Sequence, residues 1–184
     1  MEINFDFISI TGRYIYGYLC LNASIVKNNE TALPEDLNSL IKGFVETDSL
    51  DVWHENIEEI IPSFILNNSY DTGYYEIISE DLYILLKEYY SNISKVTIDI
   101  IENLFTLGFS NLYGAFESNI SLKYLHKIME IMEMNNIPLP NYEIVKSCSV
   151  TERKGWGELV KMDDFLKAHS DALGWSERFL DDEI

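Results

Sequence analysis

The chain has 184 residues, 47% of them hydrophobic and 24% charged, with 31 acidic against 13 basic side chains and a formal net charge of -18. Such a composition belongs to a globular chain long enough for one domain with a substantial core, and it excludes a chain disordered as a whole. The charge opposes binding to nucleic acid or to an anionic membrane, both polyanions themselves, and favours a basic protein or a cation while also keeping the chain soluble.

Apolar residues recur at helical spacing through most of the chain. A first segment, about Thr11 to Asn28, sets Tyr14, Tyr18, Leu21 and Ile25 along one side, with Gly12 and Gly17 weakening it as a helix. Leu37, Leu40, Ile41 and Phe44 follow Pro34, which suits the start of a helix. Leu50, Trp53, Ile57, Ile60 and Ile61 repeat the spacing after Ser49, a good N-cap, until Pro62 kinks or ends the run. Leu82, Leu85, Leu86 and Tyr89 follow Ser79, with Glu80 and Asp81 suited to the positive end of the helix dipole. Ile100, Ile101, Leu104 and Phe105 share a face after Ser94, and Gly108 is the expected stop. Leu122, Leu125, Ile128, Met129 and Met132 do the same after Ser121.

Near Asn135 the character changes. Ile137-Pro138-Leu139-Pro140 must be extended, and residues 141 to 162 have no sustained helical period. They hold Cys148, the basic pair Arg153-Lys154 and Gly155-Trp156-Gly157, before a short helix from about Asp163 to Ser170 and an acidic tail, Asp181-Asp182-Glu183. The expected fold is therefore all-α. It is an antiparallel helical bundle or short stack of helical hairpins with short connections, and it carries an irregular C-terminal appendage. Residues 1–184 form one domain in this reading, with a helical body over 1–135 and an extended segment, loop and terminal helix over 136–184. No fixed-period repeat is present.

The acidity is unevenly placed. Between residues 28 and 86 thirteen acids stand against one base, Lys42, whereas residues 87 to 184 carry ten bases. On the helix beginning at Leu50, the acids Asp51, Glu55 and Glu58 lie at i, i+4 and i+7, opposite Trp53, Ile57 and Ile60. Like charges at i, i+4 destabilise a helix by about 0.2–0.5 kcal/mol per pair. A face that accepts this without interleaved lysines is either a solvated coat or a surface for a cationic partner. The partner surface is therefore expected at Glu46, Asp48, Asp51, Glu55, Glu58 and Glu59. Trp156, on a pliable loop, is a further contact candidate or else a plug at the end of the helical body. Trp53 is expected in the core.

Motifs for chemistry are missing. There is no glycine-rich phosphate loop, dinucleotide fingerprint or Gly-x-Ser-x-Gly elbow. His54-Glu55-Asn56-Ile57-Glu58 resembles half of a zinc-hydrolase helix, but Glu58 stands where the second His belongs. A surface histidine among acids is the simpler account of His54. His126 is expected at the edge of the core, and His169 near a helix C-terminus where a cation is favoured. No catalytic residue, metal or cofactor is expected. Acids at the amino end, Met1-Glu2-Ile3-Asn4-Phe5-Asp6, do not suit a secretory signal, and the apolar run Ile15 to Leu21 is too short to span a bilayer. Cys20 and Cys148 lie far apart and give no disulfide framework. Asn92-Ile93-Ser94 and Asn119-Ile120-Ser121 are read as helix starts rather than glycan acceptors. A cytoplasmic protein is expected.

In size, acidity, helical character and the Gly155-Trp156-Gly157 segment after Pro138-Leu139-Pro140, the chain resembles the immunity proteins that bacteria encode beside secreted polymorphic toxins, especially nuclease toxins. The resemblance implies tight one-to-one inhibition of a basic toxin domain by occlusion. A helical scaffold or regulatory subunit that binds an intracellular protein or peptide is the alternative of a different class. A metal-dependent hydrolase built from scattered acids and histidines is the third.

Overall fold

The computed structural model describes residues 4–71, 74–110, 112 and 119–169. The helical segments are α1 (Ile10–Lys27), α2 (Glu35–Glu46), α3 (Leu50–Glu58), α4 (Pro62–Asn67), α5 (Glu80–Asn92), α6 (Lys95–Phe109), α7 (Ile120–Met134) and α8 (Met162–Ala168). The fold is all-α. Among the described residues the only strand-like pairing is an isolated bridge between Ile8 and Ser149. The acidic tail at Asp181 to Glu183 lies outside the described residues, as does Ser170, the expected end of the last helix.

Helix α1 runs through the middle and packs on α2, α6 and α7. Every residue from Ile10 to Leu21 is buried, so the one-sided helix expected here is covered on all faces. Its tyrosines show how polar tips survive there. Tyr14 donates to the Ile41 carbonyl at 3.0 Å, Tyr16 to the Pro140 carbonyl at 2.9 Å, and Tyr18 to Asn38 Oδ1 at 2.9 Å. Each ring fills core volume while its hydroxyl reaches a neighbouring segment's acceptor. The two glycines that weaken the helix pattern admit neighbours instead. A Cβ on Gly12 would sit 2.6 Å from Cys148 Cβ, and one on Gly17 would sit 2.8 Å from Leu104 Cδ1.

Capping chemistry places several starts as expected. Ser79 and Ser94 accept from Leu82 N and Thr97 N, each at 3.2 Å. Helix α3 already ends at Glu58, before Pro62, which opens α4 as its first residue. Three expectations are corrected. Ser49 precedes α3, but its side chain makes no cap bond. Helix α7 begins at Ile120 after Asn119, so Ser121 is inside it and accepts from Arg13 Nη1 at 2.8 Å. Gly108 does not stop α6, which continues to Phe109. A Cβ at Gly108 would sit 2.5 Å from Trp53 Cη2, so the missing side chain is space for the indole.

Residues 141–168 are laced onto the body. Ser9 N donates to the Cys148 carbonyl at 2.9 Å, Val150 N to Phe7 at 3.0 Å, Thr11 N to Trp156 at 2.8 Å and Val160 N to Val45 at 2.9 Å. Ile144, Val145, Met162 and Leu166 enter the core. This strap crosses the start of α1 and the end of α2, where it meets the acidic segment.

Candidate functional site

Helix α3 sorts its residues by side. Trp53, His54 and Ile57 are buried, while Asp51, Val52, Glu55 and Glu58 are exposed. Trp53 is the core residue expected, only 5% exposed. Its Nε1 donates to the Leu40 carbonyl at 2.8 Å, and its ring meets Phe44 edge-on at 4.9 Å between centroids. That indole fixes which way α3 faces, and therefore where its acids point. Asp51 and Glu55 have no ion-pair partner among the described residues.

The other four acids of the expected surface have internal roles. Glu58 Oε1 lies 3.2 Å from His54 Nε2 but remains largely exposed. Glu46 accepts from the Met162 backbone N–H at 2.9 Å with one oxygen and meets Lys161 Nζ at 3.1 Å with the other. It is a fastener for the strap, and its side chain is mostly covered. Asp48 pairs with Arg153 Nη2 at 3.0 Å. Glu59 turns to the loop before α5, where its carboxylate accepts the backbone N–H groups of Glu76 at 2.8 Å, Ile77 at 3.1 Å and Ile78 at 3.0 Å. Lys42, the lone base of the acidic stretch, pairs with Asp163 of α8 and does not interleave with the α3 acids. Glu46 and Glu59 are therefore turned to internal contacts, while Asp51, Glu55, the outer side of Glu58 and the Arg153-paired Asp48 remain exposed.

Glu59 permits a direct check. Glu59→Ala leaves three neighbouring donors without their acceptor and is expected to destabilise the protein by about 1–2 kcal/mol, read as a lower urea midpoint at unchanged slope. Hydrogen exchange at Glu76 to Ile78 should accelerate in the same variant.

Trp156 is half-buried and packs against the core. With Thr11, Phe44, Leu50 and Leu159 it lines a small crevice beside the Asp48–Arg153 pair. The loop carrying it bends hard: Arg153 and Lys154 have φ of 40° and 58°, followed by Gly155 at 96° and Gly157 at 90°. Two successive non-glycine residues in left-handed geometry are held by their surroundings rather than by preference.

Two histidines are placed differently from the sequence expectation. His54 is buried, with its ring 5.1 Å from that of Phe109, because it shares the inner flank of α3 with Ile57. His126 is exposed on α7 instead of edging the core, and it borders a shallow groove with Glu130, Glu133 and Leu139. His169 caps α8 and holds Nδ1 2.7 Å from the Phe165 carbonyl. No group of three or more His, Cys, Asp or Glu side chains among the described residues is arranged to hold a metal ion. Both cysteines are buried free thiols. Burial, helped by the charge of Glu152, raises the Cys148 thiol to about 11. Its thiolate is therefore scarce at neutral pH.

Arg13 is a buried cation whose fork grips the amino-terminal segment, with Nη2 3.1 Å from the Phe5 carbonyl. Only its polar character inside an apolar run marks it in the sequence.

No helix among the described residues is long and apolar enough to cross a membrane. No family model, curated protein or solved structure matches the chain.

Proposed function

We propose that this chain is a non-catalytic binding protein whose α3 acids cover a basic surface of another protein, in the manner of the immunity proteins it resembles. The observation that carries this reading is the pair Asp51 and Glu55, exposed on a helix clamped by Trp53 and without a countercharge among the described residues. Repulsion between them at i, i+4 is retained although a single lysine would relieve it. The benefit lies in association: an acidic face on a chain of net charge -18 steers a cationic partner into encounter and repels polyanions. A nuclease toxin domain has the required chemistry, since a site that grips phosphates is basic, and a protein seated over it blocks substrate without any catalytic group.

Affinity capture with the tagged chain in its native host at low salt tests this. The expected result is one basic protein at equal stoichiometry, released as ionic strength rises past the point where charges are screened. Recovery of no basic protein, or of a partner indifferent to salt, would remove the reading.

A further inference from the structure

The solvent side of α5 mixes polar and aliphatic residues. Glu80, Asp81, Glu88, Ser91 and Asn92 are exposed there together with Ile84 and Leu85, which are 54% and 40% exposed. The preceding loop adds Tyr74 at 64% and Ile77 at 46%. Singly exposed apolar residues need no explanation, but several on one helix and the loop feeding it make a patch. The opposite side of α5 already supplies the core through Tyr83, Leu86, Tyr89 and Tyr90, so Ile84 and Leu85 are not the helix's buried stripe.

The patch stands on a fixed frame. Glu59 binds the backbone of residues 76–78, which ties Ile77 to the C-terminal end of α3. Tyr75 is buried against Tyr70 and Tyr83, anchoring the residue next to Tyr74. Acids interleave with the aliphatic residues: Glu88 and Asp81 fall between Ile84 and Leu85 around the helix, Glu80 is exposed on the same side, and Glu76 precedes Ile77 in the chain. Lys87, the one base on α5, turns inward to the Asn68 carbonyl at 2.9 Å and the Tyr83 hydroxyl at 2.6 Å. It does not neutralise these acids.

We infer that this face docks a basic amphipathic segment of the partner protein, in which aliphatic side chains lie between lysines or arginines. Charge decides among possible occupants. A second copy would set this acidic face against its own equivalent on a chain of net charge -18. An anionic bilayer meets the same repulsion. Residues 170–184 carry five acids and one base, so the chain's own end is a poor match. A cationic amphipathic segment instead gains attraction from these acids and buries the aliphatic side chains interleaved with them. The inference rests on the binding role proposed above and adds a division of labour to it. The α3 acids accelerate encounter, and Ile77, Ile84 and Leu85 slow departure.

The test uses two synthetic peptides of about four helical turns. One carries leucines on one face and lysines elsewhere, and the other has the same charge with serines replacing the leucines. Fluorescence anisotropy at about 0.15 M salt should show the leucine peptide bound at least about tenfold more tightly. In I84S/L85S this preference should vanish, and I77S should reduce it. D51K/E55K/E58K should weaken both peptides alike and keep the preference. Because the serines replace exposed residues, unchanged thermal unfolding should accompany the loss. Equal binding of both peptides, or a preference that survives both I84S/L85S and I77S, would overturn the inference. So would wild-type dimers that I84S/L85S converts to monomers, since a second copy would then be the occupant. If the preference fails while salt-sensitive capture of a basic host protein persists, the docking face is lost and the binding role stands. If the preference holds but capture fails, it is the binding role that falls.

Discussion

Gly157→Ala is expected to destabilise the protein by about 3 kcal/mol, through strained backbone and steric overlap acting at one atom. At φ 90° an L side chain is strained whatever the space around it. Space is also missing: the new Cβ would press on Ser9 Oγ and lie 2.8 Å from Thr11 Cβ and 2.9 Å from Ser9 Cβ. None of these is the yielding tip of a long side chain. Ser9 caps α1 by accepting from Gly12 N at 3.3 Å, and Thr11 N donates to the Trp156 carbonyl at 2.8 Å. Relief therefore requires lifting the strap from the start of the central helix. Gly155→Ala is the control. Its φ is 96°, but no such neighbour stands against it among the described residues, so strain alone should cost about 1 kcal/mol. Urea unfolding of the two variants reads the difference. Equal, small effects would mean that the strap is not seated on α1 as described.

Arg13→Ala should cost about as much, roughly 3 kcal/mol, for a different reason. Arg13 is only 5% exposed, and its guanidinium has no carboxylate among its hydrogen-bond acceptors. It donates instead to the Phe5 carbonyl through Nε at 3.3 Å and Nη2 at 3.1 Å, to the Asp6 carbonyl at 3.4 Å and to Ser121 Oγ at 2.8 Å. Burial lowers its pKa, and the nearby charge of Asp6 works in the opposite direction. Truncation leaves buried oxygens of two segments without donors and opens a cavity between them. Arg13→Met restores volume without donors and should recover about 1 kcal/mol of the loss. Chemical denaturation of both variants separates packing from hydrogen bonding. A near-neutral Arg13→Ala would show that water replaces the fork without penalty.

Much of the helical order is legible in the sequence because it is written locally. Apolar spacing marks the buried flanks of α2, α6 and α7 and only part of that of α5, and serine hydroxyls at positions 79 and 94 announce two starts three residues before their backbone partners. What escapes local reading depends on partners distant in the chain. Ser121 has the chemistry of a cap, but Arg13, 108 residues away, takes its oxygen. Gly108 looks like a terminator until Trp53 is placed over it. The candidate surface was blurred in the same way. Glu46 and Asp48 belong to an acidic run in sequence, yet Lys161 and Arg153 reach them from 115 and 105 residues away. Glu59 continues the acidic pattern of α3 but turns to three backbone amides, a role that composition does not reveal. Aliphatic residues on the outer face of α5 were hidden too, because Leu85 also fits the helical period used to find the core.

Asp51, Glu55 and Glu58 have their charges held outward by the seating of Trp53 in the core. The most direct measurement is the association rate of D51K/E55K/E58K with the basic protein captured from the host, followed across ionic strength beside an E130K/E133K variant altered on exposed α7 positions. Reversal on α3 should slow association by roughly tenfold or more at low salt and flatten its salt dependence, while reversal on α7 should change both far less. Equal rates and equal salt slopes for the α3 variant and the wild type would contradict the role proposed for the α3 acids.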